Sequence, residues 1–184
     1  MLFFKQKQFD EIPDKLFATA SLCVSDLFNL LEPKNEKLIV FETIVYIAFR
    51  IDLAMVKAHL HDAQRAELLK AIWFRVGNYY SDLAKDVEIH EALNDRMDQY
   101  GIIVRESSSD EIWQRLHETL KQLLFHASQR ECLFKWRMGV GPILIVDIRE
   151  EIALQTLLTD LEIGKIIPFE ADCNKIFAAM APKW

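Results

Sequence analysis

Residues 35–61 constrain the fold of this chain more than any other segment. They contain neither glycine nor proline and are rich in isoleucine, valine, leucine and phenylalanine. They therefore predict one long helix, for which Asn35 is a suitable N-terminal cap. At about 100° per residue, the apolar residues cover most of the circumference of that helix. Such a helix must be surrounded by others, which predicts a helical bundle with this helix at its centre.

The same segment is long enough to be considered as a membrane span, but its charged residues argue against insertion. Residues 38–60 include Glu42, Arg50, Asp52 and Lys57. A charge near the middle of a spanning helix costs about 2.5 to 3.5 kcal/mol, whereas each large apolar residue returns only about 0.3 to 0.6 kcal/mol. We therefore expect the core helix of a soluble protein and no integral membrane insertion.

Helical periodicity also extends over most of the remaining chain. Apolar residues recur at three- and four-residue steps within 12–32, 62–86, 89–100 and 112–127. Ser108 and Glu111 have the spacing of a capping box, which marks the start of the last of these segments. The 184 residues include only 5 glycines and 5 prolines, few for the turns of a many-stranded fold. The sequence therefore predicts an all-α bundle of about five to seven helices.

Three regions are expected along the chain. Residues 1–11 are predicted to form a flexible N-terminal arm, 12–137 the helical bundle, and 138–184 a less regular C-terminal helical extension. Residues 143–148 fit either a short buried strand or part of a helix that begins at Pro142, and we favour the helix because a lone strand lacks a partner. The extension is rich in apolar residues, so we expect it to pack on the bundle or on a partner.

Charge and cysteine content restrict the classes of function. The chain has 22 Lys and Arg residues against 28 Asp and Glu residues, a formal net charge of −6. This field repels phosphate backbones, so nucleic-acid binding is not expected. Cys23, Cys132 and Cys173 are far apart and form no C-x-x-C pair, which favours a reducing, cytoplasmic location over a disulfide framework or a zinc ribbon.

The common catalytic and cofactor motifs are missing from the sequence. It contains no glycine-rich phosphate loop, no serine nucleophile elbow and no H-E-x-x-H zinc motif. A di-iron bundle requires Glu-x-x-His on two helices, and no histidine here follows a carboxylate at that spacing. We therefore predict no catalytic residues, no metal and no cofactor.

Asp52 and His59 are the pair of residues best suited to a chemical role. They are seven residues apart, and therefore within about 20° of each other on a helix, in the middle of its apolar arc. A buried carboxylate requires a partner. One interpretation is a ligand pocket in which Asp52, His59 and His117 act on a small molecule. The other, which we favour, is a structural pair of Asp52 with His59 or with an arginine such as Arg75 from a neighbouring helix.

A second group lies on the opposite, more polar side of the same helix. Glu42, Tyr46 and Arg50 are spaced at i, i+4 and i+8, so they form a ladder along one face. The ladder predicts an interaction surface, although such ladders also commonly line the edge of a helix with small ion-pair gains.

These features together favour a binding protein. Helix patterning is strong, catalytic motifs are missing and the net charge is acidic. The sequence predicts a non-enzymatic protein-interaction module, such as an adaptor, a regulator or an immunity-type inhibitor, with an acidic surface that favours a basic protein partner. Self-association is a further expectation. The alternative is a small-molecule sensor or enzyme with a polar pocket around Asp52 and His59.

Overall fold

The computed structural model describes residues 2–31, 36–79, 88–129 and 148–181. The α-helices in these ranges are α1 (Leu2–Asp10), α2 (Ile12–Leu31), α3 (Glu36–Lys57), α4 (Asp62–Tyr79), α5 (Glu88–Glu106), α6 (Ile112–Gln129), α7 (Ile148–Leu161) and α8 (Ile167–Met180). A π-helical segment, Glu162–Ile166, joins α7 to α8. Only Glu11 separates α1 from α2, so the described chain forms six continuous helical segments. The predicted all-α bundle of five to seven helices is confirmed.

Helix α3 lies at the centre of the bundle, as the composition of residues 35–61 predicts. It contacts α2, α4, α5, α6 and α8, and every residue from Phe41 to Ile51 is buried. Because neighbours surround it on all sides, its apolar circumference is removed from water. Among the described helices, α3 included, none combines the length and apolarity that crossing a membrane requires.

The N-terminal residues differ from the expected flexible arm. Residues 2–10 form α1, which packs on α8. Phe9 is 2% exposed, and its ring meets that of Phe177 edge-on, with 6.2 Å between centroids. Burial of this large ring stabilises the docking of α1 on α8.

The C-terminal helices pack on the bundle, one of the two arrangements expected for residues 138–184. Helix α7 contacts α2 and α6, and α8 contacts α1, α2 and α3. Their inner side is apolar and buried, and its residues are Leu154, Leu158, Leu161, Ile166, Phe169, Cys173 and Phe177. Ile148 begins α7, while 143–147, the rest of the segment with two interpretations, lie outside the described residues.

Gly164 and Pro168 suggest loops from sequence, yet the chain stays helical through both. The N–H of Ile167 bonds to the carbonyl of Glu162, five residues earlier, so one turn is widened by a residue. A proline has no N–H to donate and its ring crowds the carbonyl four residues before it. The wider turn accommodates Pro168 without ending the helix, and π-helical turns of this kind recur at functional sites.

Helix α3 ends in a motif that determines the conformation of His59. The N–H of His59 bonds to the carbonyl of Val56 at 3.0 Å, and that of Leu60 bonds to the carbonyl of Met55 at 3.1 Å. This is the Schellman pattern, which requires a left-handed residue at the position of His59. The φ of His59 is 56°, and its side chain is exposed.

We expect the substitution His59→Gly to raise the free energy of unfolding by about 0.5 to 1 kcal/mol, because glycine adopts this conformation without steric strain. His59→Val should lower it, since a β-branched residue is strained there. Urea unfolding followed by circular dichroism measures both. A glycine variant less stable than the parent would contradict the argument that the left-handed conformation of His59 is strained.

Candidate functional site

The ladder on α3 faces the interior of the protein. Glu42, Tyr46 and Arg50, hereafter the α3 polar strip, are 1%, 1% and 4% exposed. Their expected exposure as an interaction surface is therefore wrong. The reason is that charged and hydroxyl-bearing residues of other helices meet the strip, so its polar atoms are paired inside the bundle and have no need of water.

Glu42 is paired with Arg96 of α5. Arg96 Nε donates to both carboxylate oxygens, at 3.0 and 2.9 Å, and its Nη2 donates to Oε1 at 2.8 Å. Both side chains are buried. Burial raises the pKa of the Glu42 carboxyl, and the adjacent guanidinium opposes that rise. Two-point contact of this kind fixes orientation as well as charge, so the pair holds α5 in one rotational setting on α3.

Arg50 binds two carboxylates from the C-terminal helices. Its Nη2 lies 2.5 Å and its Nε 3.0 Å from Glu170 Oε2, and its Nη1 contacts Glu162. Tyr46 Oη donates to Glu162 at 3.1 Å. The Arg50 guanidinium also lies 4.4 Å from the ring centroid of Trp113 on α6, within cation–π range. One guanidinium thus joins α3, α6, the π-helical segment and α8.

An aromatic group lies between the two arginine sites. Tyr100 of α5 is fully buried, and its ring packs against Tyr46 at 5.9 Å and Phe49 at 5.2 Å between centroids. Its hydroxyl has no hydrogen-bond partner among the described residues. Burial, followed by the charge of Glu42, raises the pKa of Tyr100 well above its usual range, so this phenol stays neutral.

His117, one of the three predicted pocket residues, lies on α6 near the strip. Its side chain is half-buried, with Nδ1 3.4 Å from Gln155 Nε2 and a buried Nε2 that has no partner among the described residues. Burial lowers the pKa of His117, a backbone hydrogen bond with Leu158 opposes that change, and the charge of Arg50 lowers the pKa further, so that the net direction is downward. The imidazole is therefore neutral at pH 7.

The other two predicted pocket residues lie on α3 and just beyond its C-terminal end. Asp52 is half-buried and accepts hydrogen bonds from Arg65 of α4, at 3.1 Å from Nε and at 2.9 and 3.2 Å from Nη2. This is the kind of arginine pairing expected as the structural alternative, although Arg75 pairs with Asp14 instead. His59 is exposed at the end of α3. A pocket formed by Asp52, His59 and His117 stays a prediction.

Four residues of the buried cluster escape the sequence analysis. Arg96 could be found, because it lies on the same face of α5 as buried Leu93 and Tyr100, and an arginine on an apolar face requires an acidic partner. Trp113 is recognisable only as a core aromatic residue. Glu162 and Glu170 carry no such signal, since the π-helical turn between them changes the helical register.

Each charged group of the α3 polar strip is thus neutralised by another helix. Within the described ranges, no three histidine, cysteine, aspartate or glutamate side chains lie close enough together to hold a metal ion. Comparisons with protein-family models, with curated proteins and with solved structures find no match. The geometry favours a structural lock that joins α3 to α5, α6 and α8.

We expect Arg96→Met to lower the free energy of unfolding by about 3 to 5 kcal/mol, because it leaves the Glu42 carboxylate buried without a counter-charge. The double variant Glu42→Met with Arg96→Met should regain most of that loss. Urea unfolding measures all three proteins.

The matched control is Lys175→Met, which breaks the ion pair with Asp172 between side chains that are 77% and 73% exposed. It should change the free energy of unfolding by less than about 1 kcal/mol. An Arg96→Met variant no less stable than this control would show that the buried pair is not the lock described above.

Protonation of His117 should destabilise the fold. Its folded-state pKa is lowered, so the unfolded chain binds a proton more readily, and the stabilisation is lost as pH falls below about 6.5, the unfolded value. His117→Gln should therefore weaken the decline in stability between pH 7.5 and 5, measured by urea unfolding at each pH. His61→Gln, at an exposed position, is the control. Equal pH dependence in the two variants would contradict this assignment.

Proposed function

We propose that this protein is a non-enzymatic helical interaction module, an adaptor, a regulator or an immunity-type inhibitor, that works in the cytoplasm and binds a basic protein partner. The observation that carries the proposal is the outer side of α5. Asp95, Asp98, Ile102 and Glu106, hereafter the α5 acidic face, are all exposed and lie within about 80° of one another around the helix.

The orientation of this face follows from the buried lock. Arg96 and Tyr100 point inward, Arg96 to the carboxylate of Glu42 and Tyr100 to the ring of Tyr46. The opposite side of α5 must then face water. A face fixed in this way is presented without further ordering of its helix, which reduces the entropic cost of binding.

The composition of the face resembles that of a binding surface. Ile102 is 43% exposed and lies between Asp98 and Glu106 on the same side of the helix, with Arg105 at one flank. Protein interfaces commonly combine an apolar centre with a polar rim, and Ile102 with its acidic neighbours matches that composition. The acidic residues and the net charge of −6 would steer a basic partner toward it.

Internal pairing of the charged groups also favours this function over catalysis. The charged residues of the central helix that could take part in a reaction are already paired. Glu42 binds Arg96, Arg50 binds Glu170 and Asp52 binds Arg65. A general base or acid needs a substrate proton within reach. Side chains that are paired in this way stabilise the fold and are not available as a general acid or base.

The test is reversal of charge on the α5 acidic face. Asp98→Lys with Glu106→Lys changes the net charge from −6 to −2 without touching the Glu42–Arg96 pair. We expect the partner that copurifies with the native protein to have a basic surface. The double variant should bind it at least roughly tenfold more slowly in biolayer interferometry, since steering acts on the association rate.

A matched control reaches the same net charge from other faces. Glu67→Lys with Asn174→Lys and Ala178→Lys alters exposed residues of α4 and α8, and it should retain most of the association rate. The proposal would be overturned if the partner bound the α5 variant as well as the native protein but no longer bound the control variant. It would also be overturned by an activity that disappears in a stably folded Asp52→Asn, His59→Gln protein, which would favour the small-molecule alternative.

A further inference from the structure

The carboxylates of the α5 acidic face have no cation beside them. Among the residues that the structure describes, Asp95, Asp98 and Glu106 take part in no ion pair, whereas the buried carboxylates that face α3 each bind an arginine. A cation brought by a partner therefore meets these three carboxylates without having to break an existing pair.

The exposed arginine of the same helix is directed away from the centre of this face. A Cβ atom placed on Gly101 would lie 3.3 Å from Arg105 Nη1, so the guanidinium lies over the position that glycine leaves open. Gly101 is about 100° around the helix from Ile102. The positive charge of Arg105 therefore lies at one flank, and the centre of the α5 acidic face keeps its negative charge.

The face is also straight. Its residues follow one another at steps of three, four and four positions, so they stay within about 80° of one another while they extend about 16 Å along the helix. Ile102, 43% exposed, lies between Asp98 and Glu106. A straight stripe of this length matches one face of a second helix, because two helices that cross at about 20° stay in contact over several turns.

Other common modes of peptide recognition require features that this surface does not offer. An extended peptide adds to the edge of a sheet, and a polyproline segment docks in a groove lined by aromatic side chains. Helix α5 packs on α3 and α6, which are helices as well, and the α5 acidic face has an isoleucine and three acids but no aromatic residue. A helix is therefore the partner element that suits it best.

We propose that the α5 acidic face binds a basic amphipathic α-helix, in which lysine or arginine residues lie on both sides of one apolar residue. This inference rests on the proposed function and adds the shape and the side-chain pattern of the partner. The apolar residue packs on Ile102, and cations one turn before and one turn after it meet Asp98 and Glu106. Three helical turns bury less than the roughly 800 Å² per partner of a standard interface, so the contact is weak and sensitive to salt.

A synthetic peptide tests the helical shape directly. The probe is an alanine-based peptide with a central leucine and with lysines four and seven residues before and after it, a pattern that reads the same in both directions. A hydrocarbon staple on the opposite face keeps it helical. The matched peptide has the same lysines and leucine, but it has proline at two of the alanines and no staple. In fluorescence anisotropy at about 50 mM salt, the native protein should bind the helical peptide at least roughly fivefold more tightly.

Variants of the protein locate the binding site. Ile102→Asn should weaken binding of the helical peptide at least roughly threefold, because the apolar contact is lost. Asp98→Lys with Glu106→Lys should weaken it at least roughly tenfold. The matched control is Ile152→Asn, which changes an isoleucine 62% exposed on α7 and should leave the affinity unchanged. Circular dichroism verifies that each variant is folded.

The helical partner and the proposed function can fail separately. Equal affinity for the two peptides, no binding of the helical peptide, or binding that survives both Ile102→Asn and the charge reversal would overturn the inference of a helix. The proposed function is overturned instead by the copurified partner, if that partner binds the α5 variant as well as the native protein but no longer binds the control with the same net charge.

Discussion

The structure depends on neutralisation of the charges that lie within the central helix. Helix α3 carries Glu42 and Arg50 into a region where every residue from Phe41 to Ile51 is buried. An unpaired charge there would cost several kcal/mol, a large part of the stability of an ordinary domain. The arrangement is stable because Arg96, Glu162 and Glu170 supply opposite charges at hydrogen-bond distance. Helices α5 and α8 are therefore positioned by electrostatics as well as by apolar contact.

The central helix and the all-α class could be predicted because they rest on local signals. Hydrophobic periodicity, the absence of helix breakers from residues 35–61 and the capping box of Ser108 with Glu111 all act within a few turns. The structure shows one half of that capping box, because the Ser108 N–H donates to a Glu111 carboxylate oxygen at 3.4 Å. The Ser108 hydroxyl donates to the same oxygen at 2.8 Å.

The direction of the polar strip could not be predicted, because its partners are distant in sequence. Tyr46 and Glu162 are 116 residues apart, and Arg50 and Glu170 are 120 apart. A helical wheel places charged residues on the wetted side by default, and it contains no information on acids supplied by another helix. The wheel position of Asp52 in the apolar arc predicts deep burial, whereas the structure leaves Asp52 half-buried and paired with Arg65 of the adjacent helix.

Buried charges also determine which residues remain outside. The bond from Arg96 to Glu42 sets the rotation of α5 and turns Asp98 and Ile102 toward water. Contact of Glu162 with Arg50 positions the π-helical segment in the same way, and Ile163, the next residue, is left exposed. A substitution in the interior can therefore rotate an outer helix and change a binding surface that it never touches. Under the proposed function, binding and stability are coupled through the same few ion pairs, since the residues that lock the core also orient the α5 acidic face.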